Sequence, residues 1–236
     1  MRNSFKVVII RKNTIAQIIT IAQQKGGAGK TTIAAHIAVS FAQTGRRVAI
    51  IDIDPQGSLS RWHILREKKF GIGYTGLYFV ASSGWRIEGV INNLQNKMDY
   101  IIIDAPPHTE TESKSAIRAS TLVIVPMQPS PTDLWATEVT IDFAKSENIP
   151  VKILINRHNP TSKISKEIIK QLKAEIFKNT IGNRVAFSSC FLTGVTVTET
   201  QPNSSAAIEI KNFVKEILEI TETAADKVNS RVLEKA

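Results

Sequence analysis

The 236-residue chain is 42% hydrophobic and 22% charged, an ordinary balance for one soluble domain with a full core. Its one cysteine, Cys190, excludes an internal disulfide and points to a reducing compartment. A net charge of +9 permits an acidic partner, nucleic acid or an anionic membrane, without requiring one.

Residues 1–14 are basic and hold only a short apolar run, Val7 to Ile10. That is shorter than the ~7–15 residues of a secretory core, and no run nears the ~20 of a membrane span. The expectation is a cytoplasmic protein with a basic N-terminal extension, or extra edge strand, over 1–14, and one domain over 15–236. Apolar strand-like runs follow at Ile18–Ala22, Val48–Ile53, Tyr100–Asp104, Leu122–Pro126 and Val151–Ile155, with a shorter one near Val185–Ser188. Helical patterns lie between them at Thr31–Thr44, Glu88–Lys97, Glu110–Arg118, Thr132–Glu147 and Ser162–Lys178, and from about Ser205 onward. Residues 61–86 are the least readable. Continuous apolar strands separated by helices predict an α/β fold, a single domain with a mainly parallel, twisted sheet flanked by helices on both faces. In such sheets ligands bind beyond the carboxyl ends of the strands, so the chemistry is expected just after each one.

After the first strand comes Gln23-Gln24-Lys25-Gly26-Gly27-Ala28-Gly29-Lys30-Thr31-Thr32. Strand, glycine loop and helix make the context of a phosphate-binding loop. Its glycines let backbone N–H groups turn inward on an anion, and the helix start adds positive charge. Lys30 is placed to reach terminal phosphates, and the Thr31 hydroxyl to ligate Mg²⁺. The second strand ends in Asp52-Ile53-Asp54-Pro55-Gln56-Gly57, whose two carboxylates at i and i+2 point to one side. The third ends in Asp104-Ala105-Pro106-Pro107, a buried strand closing on an acid that can hold Mg²⁺ beside Thr31. In Pro126-Met127-Gln128-Pro129-Ser130-Pro131-Thr132-Asp133, Ser130 caps a helix, Pro131 suits its first turn, and Asp133 complements the dipole. Lys163, Lys166, Lys170 and Lys173 form one stripe on the predicted helix from Ser162 to Lys178, with Ile164, Ile168, Leu172 and Ile176 opposite. Such a row either tracks phosphates without reading bases or is a solvated face. The four histidines, His108 among them, lack metal-ligand spacing, and the three tryptophans read as packing residues.

Lys25-Gly26-Gly27-Ala28-Gly29-Lys30-Thr31-Thr32 resembles the deviant Walker A box of the ParA/MinD ATPases, P-loop NTPases of the SIMIBI type. Asp52-to-Gly57 resembles that family's D-x-D-P-Q-G, and Pro126-to-Asp133 resembles the P-x-x-P-S-P-x-D of small plasmid-type ParA proteins, where it lies at the dimer face. The resemblance implies Mg-dependent hydrolysis of ATP by a homodimer that forms on ATP binding. Residues 25–32 would bind the nucleotide, with Lys25 crossing to the partner's site. Asp54 would serve hydrolysis, Thr31 and Asp104 the metal, with Asp52 in a looser role, and Asn156, Arg157 and Pro202 would hold the adenine. It further implies nonspecific DNA binding, nucleoid association when ATP-bound, a centromere-binding ParB-type adaptor, and partition of plasmid or chromosome. A MinD-like membrane positioner and a scaffold for other cargo are the alternatives. The mixed charge of residues 208–236, five basic against six acidic, makes that tail a poor lipid binder, so a membrane partner is not expected.

Overall fold

The computed structural model describes residues 15–107 and 110–233, with only the backbone described for Glu110 and for 224–233. The expected extension at 1–14 and His108 lie outside these residues. Six strands, β1 (Gln17–Ile21), β2 (Val48–Asp52), β3 (Tyr78–Ala81), β4 (Tyr100–Asp104), β5 (Leu122–Met127) and β6 (Val151–Ile155), form one sheet in the order β3-β2-β4-β1-β5-β6. Every pairing is parallel. The helices are α1 (Lys30–Gln43), α2 (Ser58–Phe70), α3 (Ile87–Leu94), α4 (Glu110–Arg118), α5 (Pro131–Ser146), α6 (Lys163–Gln171), α7 (Val185–Phe191), α8 (Val197–Thr200) and α9 (Ser205–Leu233).

Successive strand residues serve opposite faces, which is why the strands are apolar throughout. Ile19, Ile21, Ile50 and Ile102 pack with Phe41 of α1 and Phe213 of α9. Ile18, Ile51, Ile101 and Ile103 pack with Ile91 of α3 and Ile117 of α4 on the other side. The register sets Asp104 level with Ile21 on one neighbour and Asp52 on the other. Three strands therefore deliver their carboxyl ends to one place, beside the start of α1.

The structure corrects several expected elements. The region left unread holds α2 and the edge strand β3. Val185–Ser188 is helical, within α7, because Phe187 and Cys190 at i and i+3 face the core while Val185 is exposed; four residues of apparent alternation do not separate the two states. Helix α6 stops at Gln171 rather than Lys178. Beyond it the chain runs along the outer edge of β6, where Ile153 N–H donates to Glu175 O (2.8 Å) and Phe177 N–H donates to Ile153 O (2.9 Å). This satisfies an edge and buries Phe177 and Ile181, which a longer helix would not. Lys173 thus falls off the helix, and Ile164, expected in the core, is 56% exposed.

Candidate active site

The turn between β1 and α1 needs glycine at two positions, with Gly27 at φ +77° and Gly29 at φ +94°. Helix α1 has no side-chain cap and no acid in its first turn, so its N–H groups and positive end are left for an anion. The loop is propped from β6. Asn156 donates from Nδ2 to Ala28 O (2.8 Å), while its Oδ1 accepts from Arg157 N–H (3.0 Å). A Cβ at Gly29 would lie 2.5 Å from that Nδ2, whereas Gly26 and Gly27 have open space around them. Asn156 thus props the loop with one donor and one acceptor, and its second N–H and second lone pair are not used by these two bonds.

Lys30 is 6% exposed, with its ammonium 3.5 Å from Lys25 O. Burial pushes its pKa down, while Asp104 and Asp54 act to raise it. Asp104 is 1% exposed, and neither carboxylate oxygen has a hydrogen-bond partner of good geometry, although the Thr31 hydroxyl is near enough to favour its charged form. Burial pushes its pKa up to about 8, with Asp52 adding to the rise; the neighbouring Thr31 hydroxyl and Lys30 act against it. Lys30 and Thr31 do not by themselves hold this buried carboxyl ionised, and a divalent cation would supply the further positive charge it needs. Among the described residues no group of three or more His, Cys, Asp or Glu side chains could form a metal site. Thr31 and Asp104 would offer Mg²⁺ a hydroxyl and a carboxylate, leaving the rest of its shell to water and phosphate oxygens.

Asp52 is placed differently from Asp104. Its Oδ2 accepts from Ser60 N–H (2.8 Å) and Ser60 Oγ (2.6 Å), and its Oδ1 accepts from Asp54 N–H (3.1 Å). Both oxygens are occupied in fixing the first turn of α2 and the 52–54 bend. Asp54 accepts from Gln56 N–H (2.9 Å) through Oδ1 and stays half-buried beside the loop.

Lys25 turns onto its own chain. Its ammonium donates to Thr132 Oγ1 (2.9 Å) and to the Asp133 carboxylate. Ser130 caps α5 by accepting from Asp133 N–H (3.2 Å), with Pro131 in the first turn, as the sequence predicts. Two further ties escaped the sequence reading. Gln23 donates to Thr137 Oγ1 (2.8 Å), and Gln128 donates from Nε2 to Gly27 O (3.1 Å). The available signal was Gln23 itself, a polar residue directly after an apolar strand and 2% exposed.

A cavity of about 220 Å³ opens beside the loop, lined among others by Gly29, Thr32, Asn156, Arg157, Asn183 and Phe187. Thr32, Asn156 and Arg157 are brought together there. Pro202 is not among the lining residues, and its carbonyl accepts from Lys211 Nζ (2.7 Å). Lys163, Lys166 and Lys170 form an exposed row on α6, separate from this cavity.

Comparisons with known proteins agree with this geometry. The family described as "CobQ/CobB/MinD/ParA nucleotide binding domain" matches residues 19–197. Maintenance of carboxysome distribution protein A of Halothiobacillus neapolitanus is 27% identical over 213 residues, covering 85% of this chain and 95% of that one. The chromosome partitioning protein ParA of Myxococcus xanthus is 26% identical over 226 residues, covering 75% and 79%. A plasmid partition protein of Borrelia burgdorferi, solved with AMPPNP bound, shares the fold with a TM-score of 0.73 at 22% identity, over 86% of this chain and 99% of that one. Loop, sheet order and family match converge: the chain belongs to the CobQ/CobB/MinD/ParA family and is a ParA/MinD-type P-loop ATPase.

Proposed function

We propose that this protein binds ATP with Mg²⁺, closes into a sandwich dimer around it, and uses hydrolysis to partition DNA. The observation that carries the reading is Asp104, buried and without a hydrogen bond of good geometry beside Lys30 and Thr31, at the foot of a loop built for an anion. In this reading Lys30 and the amides of residues 26–32 hold the β- and γ-phosphates. Thr31 and Asp104 would hold Mg²⁺, with Asp52 positioning the strand end behind them. Bound Mg²⁺ would offset charge on the phosphates. Asp54 orients a water towards the terminal phosphate. Lys25 leaves Asp133 and reaches the nucleotide of a second subunit, as a cation supplied in trans does. Lys163, Lys166 and Lys170 track DNA phosphates without reading sequence. A centromere-binding ParB-type adaptor would couple the cycle to cargo, with the ATP-bound dimer on the nucleoid in the cytoplasm.

Gel filtration with light scattering, run with ATP, ADP or no nucleotide and with or without duplex DNA, tests this. The expected result is a dimer with ATP alone, and DNA retention by that dimer alone. A mass that ignores nucleotide would overturn it. The similarity to the carboxysome distribution protein, along 95% of that chain, favours a second reading in which the cargo is a protein assembly. A small DNA-binding gene immediately downstream favours partition over that reading.

A further inference from the structure

The loop joining α2 to β3 holds large apolar side chains outside the core. Ile72 is 83% exposed and Tyr74 81%, and Phe70 at the end of α2 is also exposed. Gly71 and Gly73, on either side of Ile72, have φ of +93° and +81°. The base of the loop is fixed. Thr75 is buried, and its carbonyl accepts from Arg66 Nε (2.8 Å); Arg66 also donates to Gly194 O (3.2 Å) and to both Glu199 oxygens (3.0 and 2.7 Å). A rigid stem therefore carries an apolar tip. Among the described residues no strand pairs with the outer edge of β3, which begins directly behind it, with Tyr78 exposed.

In a parallel sheet the segment before a strand lies at the end opposite the phosphate loop. The order β3-β2-β4-β1 sets the entries to these four strands side by side. Those entries, with the end of α2, carry Lys68, Lys69, Arg46, Arg47 and Lys97, all exposed, against Glu67, Asp99 and Glu222. Arg47 pairs with Asp99 and Arg46 with Glu222. Ile15, at the entry to β1, is a further exposed apolar residue on this pole.

We propose that this pole docks on an anionic lipid surface, with Ile72 and Tyr74 entering the headgroup layer and Lys68 and Lys69 resting on lipid phosphates. The charge of the rim fits an anionic partner. An aliphatic tip gains nothing from a DNA backbone, and a second copy would set these lysines against each other. A projecting tip of isoleucine and tyrosine suits a soft interface that offers no shaped socket, with the tyrosine at headgroup depth. Helix α9 reaches this pole through Glu222, whose carboxylate is paired with Arg46, and Lys68 and Lys69 lie apart from that pair at the end of α2. It leaves the nucleotide site open, and it stands whether or not the proposed function is right.

The test is flotation of the full chain with phosphatidylcholine vesicles, with or without half phosphatidylglycerol, in 50 and 300 mM salt. The expected result is flotation on the anionic vesicles only, weakened by salt. It should fall at least fivefold in Ile72→Ser/Tyr74→Ser and in Lys68→Glu/Lys69→Glu. Thermal melts and nucleotide binding of both variants should match the parent, since these side chains lie outside the core and away from the phosphate loop. Equal flotation on neutral vesicles, none on either, or unchanged flotation of the serine variant would each overturn the proposal. So would a serine variant that loses DNA retention while still floating, which would reassign the tip to nucleic acid.

Discussion

The ammonium of Lys25 is held by the carboxylate of Asp133, a side chain 1% exposed at the start of α5. The same carboxylate accepts from Ser130 Oγ (2.6 Å) and Gln128 N–H (3.3 Å), so it keeps donors when the lysine departs. Lys25 itself is more than a third exposed, and the pair adds little to stability, under ~1 kcal/mol after solvent screening. Lys25→Ala is therefore expected to fold and to bind nucleotide as a monomer but to form no dimer with ATP. Light scattering decides the matter: a dimer in the alanine variant would remove the in-trans role.

Gly29 and Asn156 constrain each other across 127 positions. In Gly29→Ala the new Cβ meets Asn156 Nδ2 at 2.5 Å, and the backbone stays at φ +94°. The strain is worth ~1–3 kcal/mol, and the bond to Ala28 O is displaced with it. Nucleotide affinity, read by calorimetry, should fall tenfold or more. Gly27→Ala, with φ +77° and open space, should cost less. Adding Asn156→Ser to Gly29→Ala should recover part of the stability, because the clash goes while the backbone strain remains.

His36 gives a pH dependence of defined sign. Its Nε2 accepts from Val197 N–H (3.3 Å), so Nδ1 carries the proton and donates to Thr32 O (2.8 Å). Burial lowers its pKa from 6.5 to about 4, against the opposing pull of the Thr32 carbonyl and Glu199. The unfolded chain takes up this proton near pH 6.5 and the folded one only near 4. The stabilisation is complete above 6.5 and is lost as pH falls to 4, by up to about 3 kcal/mol. Urea unfolding at pH 7 and pH 4.5 measures it. A His36→Gln variant should show a pH slope smaller by one proton in this window.

Replacing Lys166 and Lys170 by glutamate tests the row on α6. Each neutralised phosphate contributes ~0.9 to the slope of log affinity against log salt, so the slope should shrink by about 2. Folding should be unaffected, because both side chains are exposed. An unchanged slope would return α6 to an ordinary solvated face.

Much of this was readable in the chain because the chemistry is local. Residues 23–32, 52–57 and 104–107 each combine a strand end with a short polar motif, and parallel pairing had to bring those ends together. Helix α2 was missed for a physical reason. Its buried positions Leu59, Trp62, His63 and Arg66 have helical spacing, but two of the four are polar. Arg66 is buried only because Thr75, Gly194 and Glu199 satisfy it, partners as far as 133 positions away. The truncation of α6 was hidden likewise, since the open edge of β6 that draws residues 175–177 away exists only once the sheet is assembled. The tether of Lys25 to Asp133 has the same origin, a contact across 108 positions between two motifs that were each legible alone.

Gln23, Lys25 and the Gly27 carbonyl all engage the stretch from Gln128 to Thr137. The phosphate loop and the beginning of α5 are thus stitched at three places, like cloth to a frame. Whatever reshapes the loop must tug on α5, whose outer side carries the exposed Trp135 and Val139. A fluorophore there should report whether the nest is full or empty without touching the nucleotide.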